Sequence, residues 1–197
     1  AGNDGIVHSK DYEVNWDFDK NPSIIIVGSV DPSGKISSFS NRPGEGKFKK
    51  LGGNDPLGTD MLRDRFIVAP GEFMLVSDGS GGVTRMSGTS FAAPLVSGTI
   101  ALVHDRWPWL ADNPVDTVNL ILHAARDVGA PGVDGVYGRG MLDVAAALAP
   151  IGLLYAGQAR LLDGFDQFTL KADQVALVAQ APPGAAEVVR DYLIDRR

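Results

Sequence analysis

The stretch MSGTSFAAPLVSGTIALVHDRW, residues 86–107, constrains this chain more than any other. It reads as a helix from Ser90 to about Arg106, ended by Pro108. Ala92, Ala93, Ser97, Gly98 and Ala101 keep that helix slim, so close-packed neighbours and a central position are expected. Pro94 falls in the first turn, where a missing N–H costs little. A helix N-terminus leaves backbone N–H groups unpaired and carries a partial positive charge. Ser90 at that end is therefore either an N-cap or a nucleophile whose reaction oxyanion the helix end stabilises. Gly88 suits a sharp turn presenting Ser90 outward, and a cap on an ordinary surface helix needs no such small flanks.

The remaining elements place this helix in an α/β frame. NPSIIIVGSVD, from Asn21 to Asp31, reads as a strand buried on both faces, as in a parallel sheet. Phe66–Ala69 reads as a second strand, stopped by Pro70 and Gly71. The Gly-, Lys- and Asp-rich segment between them, Gly44 to Asp64, reads as a surface loop or insertion. A second helix is expected from about Asp116 to Asp127, on the spacing of Val118, Ile121, Leu122 and Ala125. A third is expected from Met141 to Leu148. Strands alternating with helices give an α/β fold, a three-layer sandwich with a mostly parallel sheet. After Pro150 the texture changes: residues 164–170 and 174–179 look like short strands. APPG then makes a hinge before a helix at 185–197, with Val188, Val189, Tyr192 and Leu193 on one face.

Charge and composition exclude several function classes. A net charge of −6 leaves no basic face for nucleic acid. With no cysteine, disulfides and Cys-based zinc sites are excluded. No apolar run is long enough to span a bilayer. The opening AGNDG lacks Met and any signal-like segment, and reads as a processed, nicked or truncated end. GEGKFKK is not a phosphate loop, since its spacing fails at Asn41 and Phe48, and Lys47, Lys49 and Lys50 read as solvated. Asp127 and Asp134 lie in a glycine-rich turn that is open between a calcium cage and a plain turn. Trp107 and Trp109 are expected to pack at a helix end.

GTSFAAPLVSG resembles the serine-site motif of the subtilisin-like serine proteases, whose usual form is GTSxAxP. It is not the G-x-S-x-G elbow, because position 92 is Ala. Other blocks follow in that family's order. AGNDG resembles the segment with the oxyanion-hole asparagine, and IIIVGSVDPSGKISSFSN the next strand and turn. VAPGE resembles the strand before the serine, and YGRGMLDVAAAL the closing helix. The resemblance covers residues 1–150 and implies the C-terminal part of a subtilisin-like catalytic domain, an incomplete fold. Residues 151–197 are then an extension of unassigned role. By resemblance, Ser90 is the nucleophile and its N–H one oxyanion donor, with the Asn3 side chain the second. Ala1 and Gly2 belong to one wall of the pocket for the substrate side chain. Asp4 lies where the family places a pocket residue that would favour a basic substrate side chain, against the plainer reading of a solvated loop aspartate.

A serine hydroxyl needs a base. The family orders its triad Asp, His, Ser, with the asparagine between His and Ser. The Asp and His are therefore expected upstream of Ala1, and none of His8, His104 and His123 has the family's histidine context. The implied function is peptide-bond hydrolysis through an acyl-enzyme on Ser90, with this chain inactive alone. Its partners are then protein or peptide substrates, and either an N-terminal fragment bearing Asp and His or a second copy by self-association. The first strand is expected to expose an apolar edge. The resemblance further implies a secreted or cell-surface setting, no required cofactor, and room for a stabilising calcium at an unassigned site. A different class stays open: a non-catalytic fragment or pseudoprotease module that acts only by binding.

Overall fold

The computed structural model describes residues 2–58, 60–149, 153–155 and 158–160. Its spine is a parallel strand pair. β2 (Ile26–Val30) runs beside β4 (Phe66–Pro70), with Ile26 opposite Phe66 and Val30 opposite Pro70. Beyond β4 the backbone of Met141 bridges Val68, and Arg126 bridges Met141. Apolar residues run without break along β4 because both faces are covered, while β2 places Gly28 and Ser29 within its run. The pleat sorts them. Val27, Ile67 and Ala69 join one cluster, while Val30, Phe66 and Val68 join the other.

Helices cover the first face. α1 (Thr89–Arg106) buries Ala92, Val96 and Val103 against it, and α2 (Pro114–Ala124) adds Val118, Ile121 and Leu122. Trp107 is buried where α1 ends, and Trp109 packs on the same cluster, as expected. A one-turn helix, α3 (Val144–Ala147), packs Ala147 there as well. The second face carries a ribbon of β1 (Glu13–Asp17) parallel to β3 (Lys47–Gly52), Val14 opposite Phe48. Phe18, Phe48 and Leu62 form its core and meet Ile24 and Ile26 at the edge of the sheet. An antiparallel hairpin, β5 (Met74–Ser77) with β6 (Val83–Met86), leads into α1. A short pair, β7 (Leu153–Tyr155) and β8 (Gln158–Arg160), follows. The fold is mixed α/β and partial, with parallel and antiparallel strands.

Several boundaries differ from the sequence reading, each for a physical reason. The segment from Gly44 to Asp64 is not simply a loop: it contains β3, whose lysines are tolerated because Phe48 alone among 47–50 is buried. The third helix begins at Val144 rather than Met141. The backbone of Met141 exchanges hydrogen bonds with Arg126 in both directions, and the Asp143 carboxylate caps α3 by accepting the N–H of Ala146 (2.8 Å). The second helix starts two residues early, with Pro114 in its first turn, and stops at Ala124 because Arg126 joins the sheet. Among the described residues, α1 is packed on one side only. Ser97, Gly98 and Ala101 are exposed, and a Cβ on Gly98 would meet nothing within 4 Å. The elements expected at 164–170, 174–179 and 185–197 lie outside the described residues.

The ribbon is pinned by a buried ion pair. Arg65 and Asp55 are both fully buried, and the Arg65 guanidinium donates to Asp55 Oδ1. Asp55 Oδ1 also accepts the N–H of Leu57 (2.9 Å), and the guanidinium lies 5.5 Å from the centroid of the Phe18 ring. Removing one partner strands the other charge away from water, which is far costlier than replacing both by apolar groups. Asp55→Ala is therefore expected to cost about 3–5 kcal/mol of unfolding free energy, and the double change to leucine at 55 and 65 to recover most of it. Urea unfolding midpoints of the three chains check this.

Candidate active site

Three short segments meet at the mouth of α1. The end of β4 delivers Gly71, whose carbonyl accepts the N–H of Gly88 (2.8 Å). A Cβ on Gly71 would collide with Ser29 Oγ, the Gly88 carbonyl and Ala92 Cβ, so only glycine permits this approach. The hairpin is fastened at the same point, the Phe73 N–H donating to Ser87 Oγ (3.0 Å). Gly88 occupies the N-cap position with an extended backbone and no side-chain cap. The N-cap reading of Ser90 is therefore overturned: Ser90 lies inside the first turn, exposed. Neither its hydroxyl nor its N–H has a hydrogen-bond partner among the described residues.

The third segment is the loop at the start of the chain. Asn3 Oδ1 accepts both the N–H of Thr89 (2.9 Å) and the Thr89 hydroxyl (2.9 Å), 86 residues away in sequence. Only an oxygen can accept a backbone N–H, so the opposite atom of the carboxamide is the amine. That Nδ2 has no partner among the described residues and points past Gly88, 3.6 Å from where a Gly88 Cβ would stand. Asn41 holds the loop in place: its Oδ1 accepts the N–H groups of Asp4 (3.0 Å) and Ile6 (3.1 Å), and its backbone N–H donates to Gly2 O (2.9 Å). Gly5 turns the loop with φ of 68°, where a Cβ would strike the Ser38 carbonyl.

The residues singled out in the sequence are thus placed as follows. Asn3 is bonded to Thr89, the residue before Ser90. Gly2 packs on the Asn41 side chain with no room for a Cβ. Asp4 is exposed and its carboxylate accepts from Asn41 Nδ2 (3.4 Å). Ala1 lies outside the described residues. Thr89 and Asn41, which lock Asn3 and its loop, were not singled out. Thr89 stood inside the quoted motif, but nothing local marks Asn41.

The histidines are engaged elsewhere. His8 stacks on Tyr12, ring centroids 3.8 Å apart. His104 Nε2 lies 3.0 Å from Thr117 Oγ1, about 20 Å along α1 from Ser90 at 1.5 Å rise per residue. His123 is in α2, on the helix layer. In the glycine-rich turn, Asp134 Oδ1 accepts the N–H groups of Val136 and Tyr137 (2.7 Å each) and Asp127 Oδ2 that of Gly132 (2.8 Å). A cation bound there would have to displace those amides.

The Subtilase family model matches residues 1–140. The chain belongs to the subtilase family. Among curated relatives, this subtilase chain is 42% identical over 64 residues to the Neisserial autotransporter lipoprotein NalP of Neisseria meningitidis. That match covers 32% of the chain and 6% of the relative. It is 35% identical over 128 residues to Mycosin-1 of Mycolicibacterium smegmatis, covering 64% and 26%. Subtilisin DY of Bacillus licheniformis is 29% identical over 150 residues, covering 75% and 44%. The chain thus spans less than half the length of these relatives. Among solved structures, the Prenylagaramide maturation protease PagA aligns with a TM-score of 0.49 at 28% identity, covering 75% of this chain and 47% of that one.

The double acceptance at Asn3 Oδ1 yields a prediction. Thr89→Val keeps the backbone donor and removes the hydroxyl, costing about 0.5–1.5 kcal/mol of stability. It should also broaden the Asn3 side-chain amide resonances in NMR spectra, whereas Thr89→Ser leaves both unchanged.

Proposed function

We propose that this chain carries the nucleophile and the oxyanion-stabilising half of a serine endopeptidase site. The carrying observation is the Asn3–Thr89 contact, which anchors a carboxamide to the residue before Ser90, while the Asn3 amine and the Ser90 N–H and hydroxyl have no partner among the described residues. Ser90 Oγ attacks the scissile carbonyl, a base takes its proton and passes it to the departing amine, and water then hydrolyses the acyl-enzyme. The carbonyl oxygen becomes an oxyanion held by Ser90 N–H and Asn3 Nδ2–H. Both donors stand at the positive end of an 18-residue helix. Gly2 and Asp4, with Ala1, flank the substrate side chain. The subtilase membership supports this chemistry, and the autotransporter name of the relative NalP supports a secreted or cell-surface setting.

On this reading the base is a histidine oriented by an aspartate, both supplied by a companion segment rather than by His8, His104 or His123. Two features support such a partner. Among the described residues β2 pairs along its length with β4 alone, apart from a bridge of Val30 to Ile36, and beside it lies a groove of about 310 Å³ lined by Ile25, Val27, Val96 and Ile100. The small-residue face of α1 is open, with Leu102 half-exposed.

Coexpression with an upstream subtilase segment bearing the Asp and His is expected to yield casein hydrolysis. Ser90→Ala abolishes it and Asn3→Ala lowers it about 10²–10³-fold, the loss known for such a donor in a subtilisin. A folded complex without turnover would instead favour a binding module. Rapid fluorophosphonate labelling of Ser90 in the 197-residue chain alone would overturn the division of the site.

A further inference from the structure

The second face of the sheet holds a cavity that the proposed chemistry does not use. It has a volume of about 220 Å³ and opens where the β1–β3 ribbon meets β2 and β4. Val14, Ile24, Ile26, Phe48, Leu62 and Phe66 give it an apolar wall. An apolar cavity of roughly 150 Å³ is known to hold benzene, so this one has room for a body of about six to eight carbons.

Its polar lining is unequal. His8 and Tyr12, stacked on each other, form one side. Burial holds the His8 imidazole below its ordinary 6.5, so it is neutral at pH 7. Arg42 therefore supplies the lining's one full charge. Its Nε is buried without a hydrogen-bond partner, and no carboxylate pairs with it among the described residues. An unpaired guanidinium donor beside an apolar wall is matched by a carboxylate attached to an apolar body. The charge-assisted bond answers the donor, and the wall shelters the carbons.

We propose that this cavity is a binding site for a small apolar carboxylate, anchored by Arg42 and sheathed by the wall that Val14, Ile24 and Leu62 help form. The site stands independently of the peptidase reading. It does touch the loop of Asn3 through one residue: Asn41 lines the cavity and also accepts the N–H groups of Asp4 and Ile6. Occupancy is thereby registered at those two amides.

Octanoate titrated into the full 197-residue chain, followed by calorimetry and by amide NMR, tests the site. One saturable site is expected, with shifts at Asp4 and Ile6. Octanol, which has the same body without the charge, binds about tenfold or more weakly. Arg42→Gln weakens octanoate to a similar extent, and Arg42→Lys, which keeps the charge but loses the fork, retains part of the affinity. Val14→Phe fills a half-buried part of the wall and weakens octanoate and octanol alike, with circular dichroism reporting that the fold is kept. A parallel titration with acetyl-Ala-Ala-Leu, free at its C-terminus, separates a free acid from a peptide end: the tighter of the two names the source. Absence of binding by both ligands at about 10 mM, or octanoate binding unchanged in Arg42→Gln or in Val14→Phe, overturns the proposal.

Discussion

One side-chain amide joins the two ends of this architecture. Asn3 and Thr89 are separated by most of the described chain, yet a single carboxamide oxygen accepts two donors from Thr89. The bond does more than close a loop. The N–H of Thr89 is among the donors that a helix leaves unpaired at its start, and Asn3 satisfies it from outside the helix. The next donor, Ser90 N–H, has no partner among the described residues while its neighbour is fixed, and neither has the amine at the other end of the same carboxamide. A side chain of Thr89 in the role of cap would have left the loop unattached.

Everything around that bond restricts its geometry. Gly71 lets the end of β4 come within hydrogen-bonding distance of Gly88, so the helix start is referenced to the sheet rather than to solvent. Asn41 ties Gly2, Asp4 and Ile6 together, so the loop carrying Asn3 has little freedom left. Donors fixed before any substrate arrives need no reorganisation when charge develops, and that is the source of their value in acyl transfer.

How much of this could be read from residues alone depended on whether the determining contact was local. The helix at Ser90 announced itself through Gly88, the small residues that follow and Pro108, and it runs from Thr89 to Arg106. The strand at Ile26–Val30 was legible because an unbroken β-branched run has few other uses. The ribbon was not. Lys49 and Lys50 look solvated and are exposed while Lys47 is half-buried, and β3 exists because its backbone pairs with Glu13–Asp17, more than 30 positions earlier. Val14 and Trp16 alternate with polar residues in β1, a weak period-two signal that passed unread. The start of the third helix failed for the same cause: Met141 is helix-friendly, but Arg126 claims its backbone. Pairing between distant segments overrides propensity, and propensity is all that a local window contains.

The two faces of the spine show different degrees of completion, and the difference bears on function. On the ribbon side, burial reaches the point where a carboxylate and a guanidinium are sealed together, Asp55 with Arg65, each offsetting part of the desolvation cost of the other. On the helix side, α1 presents Pro94, Ser97, Gly98 and Ala101 to open space although these are residues suited to close contact. A helix evolved only to face water gains nothing from Gly98, which costs about 1 kcal/mol against alanine in a helix interior. On the proposed division of the site, the slim face is where a second body would pack against α1, and that body would lie on the same side of the sheet as the exposed turn bearing Ser90. A companion docked there would bring its own side chains to the one end of α1 where the free donors and the free hydroxyl already stand.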